Sequence, residues 1–347
     1  MSESGHSFPS TGINSGGSAR IEVGDPNDIE EDEFEPSIID DESIHTFGSI
    51  TTSVFRHSYE NGRRYHKYRY GTYPIPNDDT EQTRDEMKHA TTLEITGGKL
   101  FFAPIGEHPQ RIIDLGTGTG SWAIGMADQF PSAQVIGLDL SPIQEPWIPP
   151  NLRFIVEDIH DPWIHGDDFD LVHLRHVSLF LKNFESVVAK AFQHLRPSGW
   201  IELQEFGGCA RCDDGSMRDD SPFKIFMDKT GEALSKAYGF QWRVANIMEG
   251  ILRQQGFVNI NCNKYKMPLG KWPKNKKLRL IGECMREIVS DLIDAMGAKP
   301  LREIMGDAEV RKLVVDSKAE LAGYESHMYV EYFFWYAQKP PVEPLAG

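Results

Sequence analysis

Between residues 109 and 210 the hydrophobic pattern switches regularly between two periods. Short apolar runs at 111–115, 134–139, 152–156, 169–174 and 200–206 have the length and composition of buried strands. Helical stretches lie between them, at 121–130 (Trp122, Ile124, Met126, Ala127 and Phe130) and at 184–195. Strands spaced by helices predict an α/β fold, doubly wound about a mostly parallel sheet with right-handed crossovers.

The flanks read differently. Upstream, 81–95 predicts a helix capped by Asp79 or Thr80, with Met87, Leu93 and Ile95 turned inward. Before it, 59–79 interleaves five tyrosines with basic residues and is broken by Gly62, Gly71, Pro74 and Pro76. This segment is either a lid that closes through Tyr65, Tyr68, Arg69 and Tyr70, or a docking surface for the helix. Downstream, helices are predicted at 223–238, 244–255, 276–296 and 309–321, and strands at 257–262 and 329–336. The helix at 276–296 carries Leu278, Ile281, Met285, Ile288, Val289, Leu292 and Ile293 on one face and forms an insertion between the last two strands, placed to roof a substrate site. The β-prone run at 329–336 is expected to return to the sheet edge. The chain thus divides into a tail (1–45), a lid segment with its helix (46–108), a core (109–210) and a C-terminal completion of the sheet (211–347).

Charge changes the picture only at the N-terminus. The net charge is −16, yet residues 1–50 hold twelve acids against Arg20 alone, which leaves −5 for the rest. The tail, rich in Ser, Gly, Asp and Glu, is expected to be disordered and self-repelling. A mildly acidic body excludes a broad phosphate-binding surface, so nucleic acid is not an expected partner. Nor is a membrane: no run approaches the ~18 apolar residues of a spanning helix. The first residues lack a basic start and an apolar stretch, so an intracellular location, cytoplasmic or nuclear, is expected. Four cysteines make no disulfide framework, and Cys209 and Cys212, although spaced C-x-x-C, read as two ordinary loop thiols, with no metal expected.

The chemistry is centred on 111–121. A strand breaks into Gly116, Gly118 and Gly120, and a helix opens at Ser121, the half-unit that lays a nucleotide-like ligand against bare backbone. Acids then mark the ends of successive strands: Asp114 before the turn, Asp139 nineteen residues beyond Gly120, and Asp158. Asp139 suits a grip on two ribose hydroxyls. Asp114 would repel a pyrophosphate but suits a ligand that carries an ammonium and a sulfonium, and a dinucleotide fingerprint would need glycine where Ser121 stands. An NAD-dependent oxidoreductase is therefore the weaker alternative. Asp158 is placed to accept from an adenine amino group, with Ile159 packed on the ring.

These residues carry a resemblance. Asp114-Leu-Gly-Thr-Gly-Thr-Gly120, Gly137-Leu-Asp-Leu-Ser141, Glu157-Asp158-Ile159 and 195–203 are similar to the motifs of class I S-adenosylmethionine-dependent methyltransferases. Glu60-Asn-Gly-Arg-Arg-Tyr-His66, Pro76-Asn-Asp78 with Glu81, Asp139-Leu-Ser-Pro-Ile-Gln144, Trp147-Ile-Pro-Pro-Asn151, His173-Leu-Arg175 and Glu202-Leu-Gln-Glu-Phe206 further resemble the fungal LaeA-type family of velvet-complex regulators and secondary-metabolism methyltransferases. The resemblance runs from about 59 to 206. It implies a Rossmann-like, seven-stranded sheet of order 3-2-1-4-5-7-6. It implies S-adenosylmethionine as cofactor, lined by Asp114, Gly116, Thr117, Gly118, Gly120, Asp139, Leu140, Asp158 and Ile159, with Arg175 able to hold its carboxylate. The implied reaction is methyl transfer to an oxygen or nitrogen of a small-molecule secondary metabolite. The implied alternative is a regulator acting through protein partners such as velvet-type proteins.

A hard-to-ionise acceptor such as a phenol needs a base. His173 and His176, near the end of the fourth strand, are the candidates, with Glu205 a weaker one. Strand alternation puts His173 and Arg175 on one face and His176 on the other. Trp272, Met285, Met296 and Met305 suit either an apolar acceptor or plain core packing.

Overall fold

The computed structural model describes residues 19–25, 57–60, 62–66, 68–69 and 73–342. A hairpin of β1 (His57–Glu60) and β2 (Arg63–His66) precedes α1 (Asp79–Thr96). The cap of α1 is Asp78, one residue earlier than predicted, because its carboxylate accepts both from Glu81 N and from the Arg63 guanidinium. The core follows as β3 (Arg111–Leu115), α2 (Ser121–Gln129), β4 (Gln134–Asp139), β5 (Leu152–Val156), β6 (Phe169–Arg175), α3 (Phe184–His194) and β7 (Leu195–Arg211). Then come α4 (Pro222–Tyr238), α5 (Met248–Gln255), β8 (Val258–Pro268), α6 (Lys276–Ala298), α7 (Asp307–Ala322) and β9 (Tyr329–Gln338). Among the described residues no helix is long and apolar enough to cross a membrane.

Seven strands form one sheet in the order β5-β4-β3-β6-β7-β9-β8, which in the sheet's own numbering is 3-2-1-4-5-7-6. The pairs from β5 through β7 are parallel, and β9 runs antiparallel between β7 and β8. Strand alternation separates two cores. Ile112, Val135 and Leu171 face α2, with Trp122, Met126 and Ala127, while Ile113, Ile136 and Val172 face α3, with Phe184, Val187 and Val188.

Four expectations change. The run at 329–336 lies inside the sheet, not at its edge, because Tyr332, Phe333, Phe334 and Ala337 are apolar and buried on both faces. Pro197-Ser-Gly199 is no turn before a strand but an irregularity within β7, where Ser198 is left-handed and the pairing with β6 shifts. The helix expected at 244–255 breaks at Ile247 into a 3₁₀ turn and α5. Most of the expected disordered tail lies outside the described residues, but 19–25 is laid on the body: Val23 bridges Pro273, Gly24 N donates to Trp272 O at 2.7 Å, and Lys274 N to Glu22 O at 2.8 Å.

The buried face of α1 is the least expected feature. It consists of Arg84, Lys88, Thr91, Thr92, Ile95 and Thr96, whereas Met87 and Leu93 are only half-buried. These polar groups are satisfied on the helix itself: Arg84 pairs with Glu81 and Lys88 with Asp85, and the hydroxyls of Thr91, Thr92 and Thr96 donate to carbonyls one turn back.

Candidate functional site

The turn after β3 is fastened to the neighbouring strand, since Gly116 N and Thr117 N both donate to Leu138 O, at 2.8 and 2.9 Å. It then passes through left-handed residues, with φ of 74° at Gly116 and 58° at Gly118. Space restricts these positions as firmly as conformation does: a Cβ at Gly116 would stand 2.9 Å from Val177 Cγ2, and one at Gly118 only 2.6 Å from Asp85 Oδ2.

Asp139 closes the turn from the end of β4. Its Oδ2 accepts from Gly118 N at 2.8 Å and its Oδ1 from Ser141 N at 2.9 Å. Gln144 Nε2 donates to the carbonyls of Gly118 and Ser141 at 2.7 and 2.9 Å, so turn, strand end and loop form one hydrogen-bonded unit. Lost hydration pushes Asp139 up to about 7 against those two amides, and the negative charges of Asp85 and Asp114 push the same way.

Asp114 lies deeper. Its Oδ1 meets His173 Nδ1 at 2.8 Å and its Oδ2 accepts from Thr117 Oγ1 at 2.6 Å. His173 is fully buried, and burial holds its pKa below the ordinary histidine value although Asp114 pulls the other way.

Above the turn lies an open cavity with about 1300 Å³ of empty space, its open mouth included. One half is polar and is lined by Asp114, Gly116, Thr117, Gly118, Asp139, Leu140, Asp158 and Ile159. The other half is walled by Tyr73, Phe180, Leu181 and Phe240, while Val177 packs over Gly116. Tyr73 meets Phe180 edge-on at 5.0 Å between centroids, and Phe180 meets Phe240 the same way at 5.9 Å. Asp85 and Lys88 of α1 and Arg175 and His176 of the β6 end also line the cavity. Lys88 Nζ lies 2.6 Å from Asp85 Oδ1. Burial would raise the Asp85 pKa, but Lys88, with Arg175 and Arg84 farther off, outweighs it and holds the carboxyl at about 2. His176 has a left-handed backbone (φ 57°), its ring is stacked on Phe206 at 4.9 Å, and burial beside Lys88 and Arg175 keeps it neutral.

At the far end of the polar half, Asp158 Oδ1 accepts from His160 N at 2.8 Å and its Oδ2 from Arg69 Nη1 at 2.9 Å. Arg69 also donates to Asp161 at 2.6 Å. The segment read as lid or docking surface therefore reaches the cavity rim through Arg69, whereas Tyr65 is buried and Tyr70 lies outside the described residues.

The structure brings together nine of the ten residues assigned to the ligand: Asp114, Gly116, Thr117, Gly118, Asp139, Leu140, Asp158, Ile159 and Arg175 line one cavity. Gly120 does not line it. It caps α2, and a Cβ there would run into the Phe154 ring, so it is a packing glycine. Of the candidate bases His176 lines the cavity and His173 does not. Glu205 is buried in the sheet, where burial pushes it up to about 8. No residue of α6 lines the cavity; the helix over it is α1, against which α6 packs. Trp272, Met285 and Met296 are core residues. Cys209 and Cys212 are free thiols, and Cys212 Sγ donates to Asp214 Oδ1 at 3.0 Å. The sequence reading missed Asp85, Lys88, Tyr73, Phe180 and Phe240. For Lys88 the signal was present: a polar residue on the face where α1 should have been apolar.

The lining fits the donor that the sequence resemblance implies. Three carboxylates, Asp85, Asp114 and Asp139, stand around the bare glycine backbone and suit an ammonium there better than a phosphate, while Lys88, Arg175 and Lys182 also line the cavity.

A methyltransferase-domain family model matches residues 87–260. The methyltransferase pytC of Aspergillus terreus is 36% identical over 91% of this chain and 97% of its own length. The secondary metabolism regulator laeA of Aspergillus fumigatus is 32% identical over 86% of this chain and 81% of its own length. The protein-methionine methyltransferase laeA of Emericella nidulans is 32% identical over 81% of this chain and 76% of its own.

Proposed function

Since this chain belongs to the S-adenosylmethionine-dependent methyltransferases of the fungal LaeA type, we propose that it methylates an oxygen or nitrogen of an apolar small molecule held in the aromatic half of the cavity. The division of the cavity carries this reading. The acids and glycines of its polar half suit the donor, and the wall of Tyr73, Phe180 and Phe240 suits a flat apolar acceptor beside it.

When bound, S-adenosylmethionine supplies a methyl carbon already activated by its positive sulfur. What remains for the chain is alignment and the exclusion of water. Asp139 holds the ribose hydroxyls, while Asp158 and Ile159 take the adenine. The aromatic wall orients the acceptor. His176 lines the cavity as the group placed to take the acceptor's proton; the cations Lys88 and Arg175 oppose a charged imidazole there but favour the negative charge that builds on an ionising hydroxyl.

A second reading has its own support, because relatives of similar length include regulators and a protein-methionine methyltransferase. In it the acceptor is a protein side chain and the molecule acts through protein partners. Incubating the purified chain and methyl-labelled donor with the metabolite fraction, and separately with the protein fraction, of a fungal extract separates the two. Label in a metabolite supports the first reading. Label confined to protein overturns it in favour of the second, and label in neither removes both.

A further inference from the structure

We propose that Asp85 of α1, and not Asp114 of the glycine motif, receives the α-ammonium of the donor, with Lys88 as the positioning residue that aims it. The inference rests on the methyltransferase reading above. The sequence points to Asp114 because it stands beside the glycines, but the structure engages both of its oxygens, Oδ1 with His173 and Oδ2 with the Thr117 hydroxyl. Its side chain keeps only 3% of its surface exposed. In that position it organises the floor of the site.

Asp85 comes from the opposite side. Lys88 Nζ holds Oδ1 at 2.6 Å, one helical turn away, and this turns Oδ2 toward the glycine loop. A Cβ at Gly118 would stand 2.6 Å from that oxygen, so Oδ2 hangs directly over bare backbone, at the spot that glycine keeps open. Its side chain is 28% exposed, so a ligand in the cavity can reach it. Held ionised by Lys88, Arg175 and Arg84, it is a fixed anion over the loop. Asp139 approaches the loop from the end of β4, where its oxygens accept from the amides of Gly118 and Ser141, and the reading above assigns it to the ribose. A primary ammonium in the cavity beside Oδ2 would meet a carboxylate whose other oxygen is the one that Lys88 holds.

The test uses two neutral-sulfur ligands that share the adenosine end. S-adenosylhomocysteine carries the amino-acid arm with its ammonium, and 5′-methylthioadenosine lacks that arm. Calorimetric titration of the full chain and of Asp85→Asn is expected to show about a 10- to 100-fold loss of S-adenosylhomocysteine affinity. The affinity for 5′-methylthioadenosine should stay within about twofold. Asp85→Ser, which removes the carboxylate with less bulk, repeats the measurement if the first variant does not fold. An equal loss for both ligands, or no loss for either, overturns the assignment of Asp85. Failure of the unmutated chain to bind either ligand overturns the donor site itself.

Discussion

The imidazole of His173 lies flat on the indole of Trp122, with ring centroids 3.6 Å apart and planes 4° apart. This stack, with Asp114 at Nδ1, makes His173 part of the joint between β3, β6 and α2 and leaves it no surface toward the cavity. His173→Ala would empty a packed site and strip a buried carboxylate of its partner. We expect it to lower unfolding free energy by about 3 kcal/mol or more in urea denaturation. The pH dependence of turnover in the residual folded protein should stay as in the parent. A stable variant with an altered pH profile would return His173 to the chemistry.

The opposite pattern is expected at His176. Its backbone φ of 57° is a conformation that asparagine tolerates better than most residues, so His176→Asn should preserve the fold. Loss of the group that takes the acceptor's proton should lower kcat by about 10²-fold or more, with donor affinity nearly unchanged. Single-turnover kinetics beside a donor titration give both numbers. Unchanged kcat would mean that the acceptor ionises without His176.

The sheet was legible because apolar runs at period two and helices at period 3.6 follow directly from burial, and β3, β4 and β5 have the boundaries read from the sequence. The donor half of the site was legible because its residues lie at strand ends and in one glycine turn, close together in the chain. Asp85, Tyr73 and Phe240 were not, since each meets the cavity only through tertiary packing, and Lys88 left only the trace of a polar residue on the buried face of α1. His173 and His176 show the limit sharply. They are three residues apart in sequence with the same chemistry, yet His173 is closed in against Trp122, whereas His176, although stacked on Phe206, also lines the cavity. What separates them is the left-handed backbone of His176 itself, one residue past the end of β6, which hydrophobic patterning does not record.

Asp139 gives a pH dependence to donor binding. In the free protein it titrates at about 7, raised by lost hydration in spite of the Gly118 and Ser141 amides. Ribose hydroxyls donate to the ionised carboxylate, so binding favours the deprotonated form. Affinity for S-adenosylhomocysteine should therefore be flat above that pKa and fall as pH drops through it, approaching tenfold per pH unit at most. Asp139→Ala should weaken binding by ~1–3 kcal/mol at high pH and abolish the dependence. Titrations near pH 6 and near pH 8 decide it; an equal slope in the variant would assign the titration to another group.

Glu205 produces a dependence of global stability on pH. Burial in β7 raises it from 4.5 to about 8, opposed by the backbone amides of Phe206, Leu179 and Ser178 and by Lys88. In the unfolded chain it ionises near 4.5, so between those two values the native state holds a proton that the unfolded state has released. Unfolding then releases a proton, and stability falls as pH rises across this window, by at most about 1.4 kcal/mol per unit for one group. Below 4.5 both states are protonated and the slope vanishes. Glu202, raised by burial to about 7, and Asp139 add slopes of the same sign, so the unmutated chain alone cannot isolate Glu205. The comparison with Glu205→Gln can, because the amide stays neutral at every pH and keeps the same shape. Denaturation across the window should show the variant gaining on the parent as pH rises toward 8, with the two converging below 4.5. A constant difference across the whole range would mean that Glu205 is already ionised in the folded protein, with Lys88 near enough to hold it so.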